Sequence, residues 1–341
     1  MEWKKPEYSK ALVRKAGKAI AENGFSGIEK GEAYKIVNNW RSSHAYPLRS
    51  LYSLGKRFGN KYPNAIVVQR LKRLESILAK LNRFPTMGLD RMQDLGGCRI
   101  IVNSVKEVNL IVEEFNAANI KNTLIKTNDY IKEPKNDGYR SVHLVFEYKG
   151  KQVEYLGMKT ELQVRSLLQH SWATSIEALG LKKKVNMKAG EGDDKTLRYM
   201  ELIAALFAIE ENTPLSKSTP QDPWAIFDEA KKLDEETGAL KIISAIEMLP
   251  TFSGGNKKSN AYYVIRVDAQ TGEAKIYSYN HAQFETATDF CAEIEKNNHG
   301  AFAVLVSAKD AASLLKAYPN YLADTNLFVQ EVDRLYEKYG S

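Results

Sequence analysis

The segment Glu161-Leu162-Gln163-Val164-Arg165 alternates polar and apolar side chains. In an extended backbone successive side chains point to opposite faces, so Leu162 and Val164 share one face and Glu161, Gln163 and Arg165 the other. A carboxylate, an amide and a guanidinium in one row do not belong against a core. The pattern predicts a sheet with one buried face and one polar face available for chemistry.

Three further polar blocks precede this strand. R-x-K-x-x-x-S-x-x-x-K-x-x-R supplies Arg70, Lys72, Ser76, Lys80 and Arg83. Asp94 stands just before the apolar run Cys98-Arg99-Ile100-Ile101-Val102, and K-N-D-G-Y-R-S-V-H supplies Lys135, Tyr139 and His143. Cations can hold phosphate oxygens, and Asp94 with Glu161 can share a divalent metal such as Mg²⁺. Glu161 can also take a proton from an attacking hydroxyl. Tyr139, beside a glycine and between Lys135 and Arg140, can stack on a base. Each block also has an ordinary reading: a strand-end cap for Asp94, a hairpin turn for N-D-G, a solvated helix face for the lysines. No Walker, dinucleotide or kinase signature is present, so the usual nucleotide folds are not indicated.

The rest of the chain reads as alternating helices and strands. Ser9 to Trp40 reads as helical, with Arg41 to Leu54 connecting into another helix. Residues 65–83 read as an amphipathic helix, with Val67, Leu71, Leu74, Leu78 and Leu81 on one face and Lys72, Ser76, Lys80 and Arg83 opposite. Strand 98–102, helix 105–117, strands 142–148 and 153–165, and helices 166–179 and 194–210 follow. The stretch 211–223, ENTPLSKSTPQDP, reads as a linker. A helix over 224–247, a hairpin of AYYVIRV and EAKIYSY, helix 283–297, strand AFAVLVS and a final helix make a second, smaller unit. The fold class is α+β, a mixed sheet flanked by helices plus this C-terminal module. The expected division is 1–212, a connection over 213–260, and 261–341.

Composition narrows the setting. No apolar run approaches the ~20 residues that span a bilayer, and no apolar segment follows the charged N-terminus. The two cysteines, Cys98 and Cys291, lie in apolar patterns and read as buried free thiols, which fits the cytoplasm. The net charge is +7, with cations gathered at Lys4, Lys5, Lys10, Arg14, Lys15 and Lys18 and again at Lys182, Lys183, Lys184 and Lys188. Each cluster alone could be a solvated helix face, but two of them flanking these blocks point toward nucleic acid, with no membrane partner expected.

Taken together, the four blocks resemble the synthetase domain of the RelA/SpoT family, over roughly residues 35–180. The resemblance implies transfer of a pyrophosphate from ATP to a 3′-hydroxyl. It implies that Arg70, Lys72, Ser76, Lys80 and Arg83 grip ATP, and that Asp94 and Glu161 hold Mg²⁺. Lys135, Tyr139 and His143 would receive the acceptor, and Glu161 with Gln163 would serve the chemistry. Asp137 stands where the family has asparagine, and no H-D-x-x-E-D hydrolase signature is present.

The C-terminal extension resembles the antitoxin half of fused toxin–antitoxin proteins of the CapRel type. That likeness implies an acceptor at the 3′-CCA end of tRNA. An acceptor stem needs a cationic track into the site, and Lys182, Lys183 and Lys184 with the N-terminal lysines can supply it. The likeness also implies autoinhibition by a Y-x-x-Y motif, with Tyr318 and Tyr321 or else Tyr336 and Tyr339 over the ATP site. Release would come from a phage protein, such as a capsid protein, on the C-terminal module. Two other readings stay open: a (p)ppGpp synthetase acting on GTP or GDP with a regulatory tail, and an inactive nucleotide- or RNA-binding scaffold.

Overall fold

The computed structural model describes the chain apart from residues 1–2, 22–27, 119–121, 184, 186, 188–189, 246–250, 254–259, 269–273, 297–300, 308–324 and 341. Its strands are β1 (Ile66–Leu71), β2 (Gly96–Val102), β3 (Thr123–Asp129), β4 (Val142–Glu147), β5 (Lys159–Ser166), β6 (Thr251–Ser253), β7 (Asn260–Asp268), β8 (Ala274–Asn280) and β9 (Ala301–Ser307). The helices are α1 (Lys10–Ala21), α2 (Lys30–Ser43), α3 (Ala45–Gly59), α4 (Leu74–Arg83), α5 (Val105–Ala117) and α6 (Leu167–Lys183). After them come α7 (Asp194–Glu210), α8 (Pro223–Thr237), α9 (Ala239–Ser244), α10 (Phe284–Lys296) and α11 (Asn326–Gly340).

Among the described residues the strands form one mixed sheet, in the order β3-β4-β5-β2-β1-β9-β7-β8-β6. β2 and β5 run parallel, while β1–β2 and β4–β5 are antiparallel. β9 joins β1 through Gln69 opposite Ser307 and Arg70 opposite Val306. The strands of the C-terminal residues thus continue the sheet that the first half begins.

One face of that sheet is apolar. Val67, Leu71, Cys98, Ile100, Leu144, Leu162 and Val164 bury there with Val264, Ala303 and Leu305, under Leu48, Leu51, Ile111, Phe115 and Cys291 from the covering helices. Truncating one of these, Leu162→Ala for example, costs about 2–5 kcal/mol. A second core gathers α6, α7, α8, α9 and α11, and a third α1, α2 and α4. Both cysteines are buried and free. Among the described residues no helix is long and apolar enough to cross a membrane.

The helix expected over 65–83 is a strand followed by a helix. Ile66 to Leu71 pairs with β2 on one side and with β9 on the other, and α4 begins only at Leu74. An i, i+4 spacing such as Val67 and Leu71 also returns to the same face of a strand, because four is a multiple of two. The apolar spacing therefore fitted both structures, and the β-branched run Ile66-Val67-Val68 decides for the strand.

Smaller differences have local causes. The region read as helical from Ser9 to Trp40 contains α1 and α2, and α2 continues to Ser43 with α3 starting just past His44. The strand read from 153 begins only at Lys159, because Gly157 turns the chain at φ 77° after a short 3-10 turn. The helix read over 224–247 breaks at Gly238, whose left-handed φ of 61° ends α8. β3 was not foreseen: it is an edge strand, largely exposed, with no apolar alternation to announce it.

The stretch 211–223 is fastened to the protein. Ser216 and Thr219 are buried, Arg198 donates to the Ser218 carbonyl at 2.9 Å, and Asp222 caps α8 through the Ala225 N–H.

Candidate active site

The polar face of the sheet carries the candidate chemistry, and strand register fixes its layout. Arg70 of β1 lies opposite Gly97 of β2, and Gly97 lies opposite Glu161 of β5. One row along, Arg99 pairs with Gln163 and Gln163 with His143 of β4. Cys98 and Leu162, between these rows, face the core, as strand alternation demands. Gly97 leaves the floor open, since a methyl group built on it would meet nothing nearer than the Arg70 carbonyl oxygen at 3.8 Å.

Asp94 sits at one end of this floor. Lys72, leaving β1, donates to its Oδ2 at 2.9 Å, and Lys80, from α4, donates to its Oδ1 at 3.0 Å. Burial works against the carboxylate, and the two ammonium groups outweigh it, holding its pKa well below the ordinary range. Ser76 lies one helical turn before Lys80 and shares its side of α4. Arg83 lies apart, at the exposed end of α4, with its guanidinium 5.5 Å from the Phe84 ring centre.

Glu161 forms the other end, with both oxygens engaged. His143 Nδ1 lies 3.0 Å from Oε1, and Gln163 Nε2 donates to Oε2 at 2.8 Å. The second ring nitrogen of His143 is 2.8 Å from the Tyr139 hydroxyl. Burial disfavours a charged His143, but the Tyr139 oxygen and the Glu161 carboxylate outweigh it and raise its pKa to about 9. The ring is then protonated near neutrality and donates to both partners. Burial also pushes Glu161 upward, while His143 and Gln163 pull it down against the repulsion of Asp94, and the net direction is downward. Asp94 and Glu161 therefore sense each other across the floor.

The loop from Lys135 to His143 owes its shape to local hydrogen bonds. Asp137 Oδ1 accepts the Tyr139 N–H at 2.9 Å, closing an Asx turn around Gly138. Only the side-chain oxygen is used, so aspartate serves as well as asparagine here. Lys135 reaches over two rings, 5.0 Å from the centre of Tyr139 and 4.5 Å from that of Tyr130. Tyr130 was not among the residues singled out from sequence, yet its ring meets Tyr139 at 6.0 Å and His143 at 5.2 Å.

Arg99 and Arg165 add to the polar face. Arg165 is buried, donates to His170 Nδ1 at 2.5 Å, and has its pKa lowered to about 9, first by burial and then by the charges of Arg99 and Arg70. Arg70, Arg99 and Arg165 thus gather positive charge on this face. Arg99 was legible from alternation, because Cys98 and Ile100 bury on the opposite face.

The other residues expected in functional roles are placed less centrally. Lys183 binds Asp193 Oδ2 at 2.7 Å and Thr196 Oγ1 at 2.8 Å, so it serves the start of α7, while Lys182 is exposed and Lys184 lies outside the described residues. Tyr318 and Tyr321 also lie outside the described residues. Tyr336 and Tyr339 pack into the helical core, their rings 5.7 Å and 5.9 Å from Phe227. At the N-terminus Lys5 pairs with Glu154 at 2.8 Å and Arg14 with Asp90 at 2.8 Å. A cleft of about 440 Å³ opens between α1 and the end of α4, with Arg14, Lys15, Lys18 and Arg91 on its walls.

Comparison with known proteins identifies the family. A profile described as the region found in RelA / SpoT proteins matches residues 69–191. GTP pyrophosphokinase YjbM of Bacillus subtilis is 31% identical over 194 residues, covering 55% of this chain and 89% of that protein. GTP pyrophosphokinase YwaC of the same bacterium is 32% identical over 118 residues, 31% of this chain and 52% of that one. Among solved structures, small alarmone synthetase 1 from Bacillus subtilis aligns at 25% identity over 58% of this chain and 94% of that chain, with a TM-score of 0.40.

Proposed function

This chain belongs to the RelA/SpoT family, and from that premise we propose that it moves the terminal diphosphate of ATP onto a ribose 3′-hydroxyl. The acceptor oxygen attacks the β-phosphorus, the bond from that phosphorus to the oxygen bridging to the α-phosphate breaks, and AMP leaves with that oxygen. The hydroxyl proton passes to solvent or to a carboxylate at the site.

The observation that carries the reading is the open floor at Gly97, with Arg70 and Glu161 in register on either side and Asp94 just upstream. Arg70, Lys72, Ser76 and Lys80 would take the triphosphate, with Arg83 at the outer end of α4. Tyr139, His143 and Lys135 would receive the acceptor. Asp94 and Glu161 are the residues that would hold Mg²⁺, a hard cation that takes carboxylate oxygens; Asp94 would exchange Lys72 or Lys80 for it, and Glu161 would exchange His143 or Gln163. When bound, the metal would neutralise charge developing on the transferred phosphates. Glu161, with its lowered pKa, suits metal binding better than proton abstraction at neutral pH.

The acceptor we favour is the 3′ end of tRNA, supported by the cationic cleft that opens beside α4. The second reading, a guanine nucleotide acceptor giving (p)ppGpp, is supported by the likeness to GTP pyrophosphokinase YjbM. The C-terminal residues would restrain the activity. Two contacts support this: β9 sits on the strand that bears Arg70, and Glu295 of α10 accepts the Leu74 N–H at 3.2 Å at the start of α4. Release by a trigger protein, of which a phage capsid protein is one kind, completes the proposal.

The test uses ATP labelled on its terminal phosphates with the full chain and with Glu295→Gln, each offered deacylated tRNA and GDP or GTP in parallel. Glu161→Gln is the blank. Label on tRNA supports the first acceptor and label on the guanine nucleotide the second. Transfer to neither, by either protein, removes the enzyme reading in favour of a binding scaffold.

A further inference from the structure

Behind the acceptor loop lies a buried cation. Arg140, next to Tyr139, is 4% exposed. Its Nη1 donates to the Gly138 carbonyl at 2.9 Å and to the Ala204 carbonyl of α7 at 3.2 Å. Its Nη2 donates to the Pro214 carbonyl at 3.0 Å. Those carbonyls belong to three different pieces of chain: the loop itself, the helix beneath it, and the segment leading toward α8. Nε finds no acceptor among the described residues. Burial lowers the pKa to about 10 against the pull of Glu211 and Asp137, so the group stays charged at neutral pH. Burying a cation is costly unless it is hydrogen-bonded, and here the bonds to three backbone carbonyls offset that cost.

What they secure is the closeness of the loop to α7. Gly138 adopts φ +86°, and a Cβ there would come within 2.6 Å of the Ala204 Cβ and 3.4 Å of the Glu201 Cα. The loop lies flat on the helix, and the guanidinium fastens it there. From that anchored base Tyr139 reaches His143, and His143 reaches Glu161.

We propose that Arg140 is a positioning residue: by fastening the loop to α7 and to Pro214, it sets Tyr139 and His143 for the acceptor and leaves the ATP grip untouched. This rests on the pyrophosphotransferase reading above. It also makes the acceptor side sensitive to the segment beginning at Pro214, so a displacement of that segment is felt at Tyr139.

The experiment compares Arg140→Lys and Arg140→Ala with the unmodified full chain by equilibrium binding. GDP and a short oligonucleotide ending in CCA are the acceptor probes, and the α,β-methylene analogue of ATP is the donor probe. The expected result is acceptor binding weakened by about tenfold or more in Arg140→Lys, with donor binding changed by less than about twofold. Added guanidinium ion is expected to restore part of the acceptor affinity of Arg140→Ala. Unchanged acceptor affinity in Arg140→Lys overturns the inference. So does an equal loss of donor and acceptor binding with a lowered melting temperature, which marks general destabilisation. If the unmodified chain binds the donor analogue but neither acceptor probe, the acceptor-site reading itself fails, and this inference falls with it.

Discussion

Gly97 of β2 is the register partner of Glu161 of β5, and the surface above its Cα is clear except for the Arg70 carbonyl oxygen at 3.8 Å from a would-be Cβ. Its φ lies outside the left-handed range, so the backbone does not require glycine. The absence of a side chain serves the site. Gly97→Val, which suits an extended strand, is expected to leave stability within about 1 kcal/mol of the parent. It places a branched side chain on the floor where the proposed mechanism puts phosphate, and transfer should fall by roughly 100-fold or more. A thermal melt and the labelled-ATP assay on the same preparation check this, and a fully active Gly97→Val would remove the open floor from the mechanism.

The contact between His143 and Glu161 predicts a pH dependence. His143 has its pKa raised from 6.5 to about 9 in the folded chain. A raised pKa stabilises the fold fully below 6.5, and the contribution is lost as pH rises through about 9. Glu161→Gln removes the carboxylate and should return the His143 titration toward its ordinary value, flattening stability between those limits. Imidazole NMR titration of the two proteins measures it.

Asp94 behaves with the opposite sign. Its folded pKa lies below the ordinary 3.8, so its pairs with Lys72 and Lys80 stabilise the chain above that pH and are lost on acidification through the folded value. Asp94→Asn leaves two ammonium groups side by side without their acceptor and should cost about 1–3 kcal/mol at neutral pH. Denaturant melts between pH 3 and pH 7 should show the parent weakening on the acid side and the variant changing less.

Arg41 and Glu295 are both 5% exposed and meet at 2.7 Å, joining α2 to α10. The same carboxylate accepts the Leu74 N–H at the first turn of α4, the helix that bears Lys80. Glu295→Gln leaves Arg41 buried without its counter-charge, a loss of about 3–5 kcal/mol for this docking. Protease protection of the C-terminal residues should fall, and transfer activity should rise if those residues restrain the site. Weaker docking without a gain in transfer would separate the contact from regulation.

Much of the site was legible because its chemistry is written in strand alternation and in compact motifs. Glu161, Gln163 and His143 fall on one face for the same reason that Leu162, Val164 and Leu144 fall on the other. The junction at Lys72 and Arg73 was misread because apolar residues four apart satisfy a helix and a strand alike. Tyr130 was missed because an aromatic at the end of an exposed edge strand carries no local sign of the ring it will meet. Lys183 looked like part of a basic track, and only the fold shows it held by Asp193. The pairing of Arg70 with Val306 joins residues far apart in the chain, and no local pattern announces it.

The cleft between α1 and the end of α4 offers the means to separate the two acceptors. Lys15 and Arg91 both line it, and neither belongs to the loop from Lys135 to His143. An acceptor that extends beyond one nucleotide would lay phosphates along such walls, and each phosphate contact adds to the salt dependence of binding. Lys15→Glu with Arg91→Glu should therefore weaken tRNA binding and reduce its salt slope by about two. GDP binding should be unaffected, because neither residue is among Lys135, Tyr139 and His143, where the guanine nucleotide would bind. Binding titrations with tRNA and with GDP at two or more salt concentrations measure both. Equal affinity of the parent and the variant for tRNA would move the acceptor assignment to the guanine nucleotide.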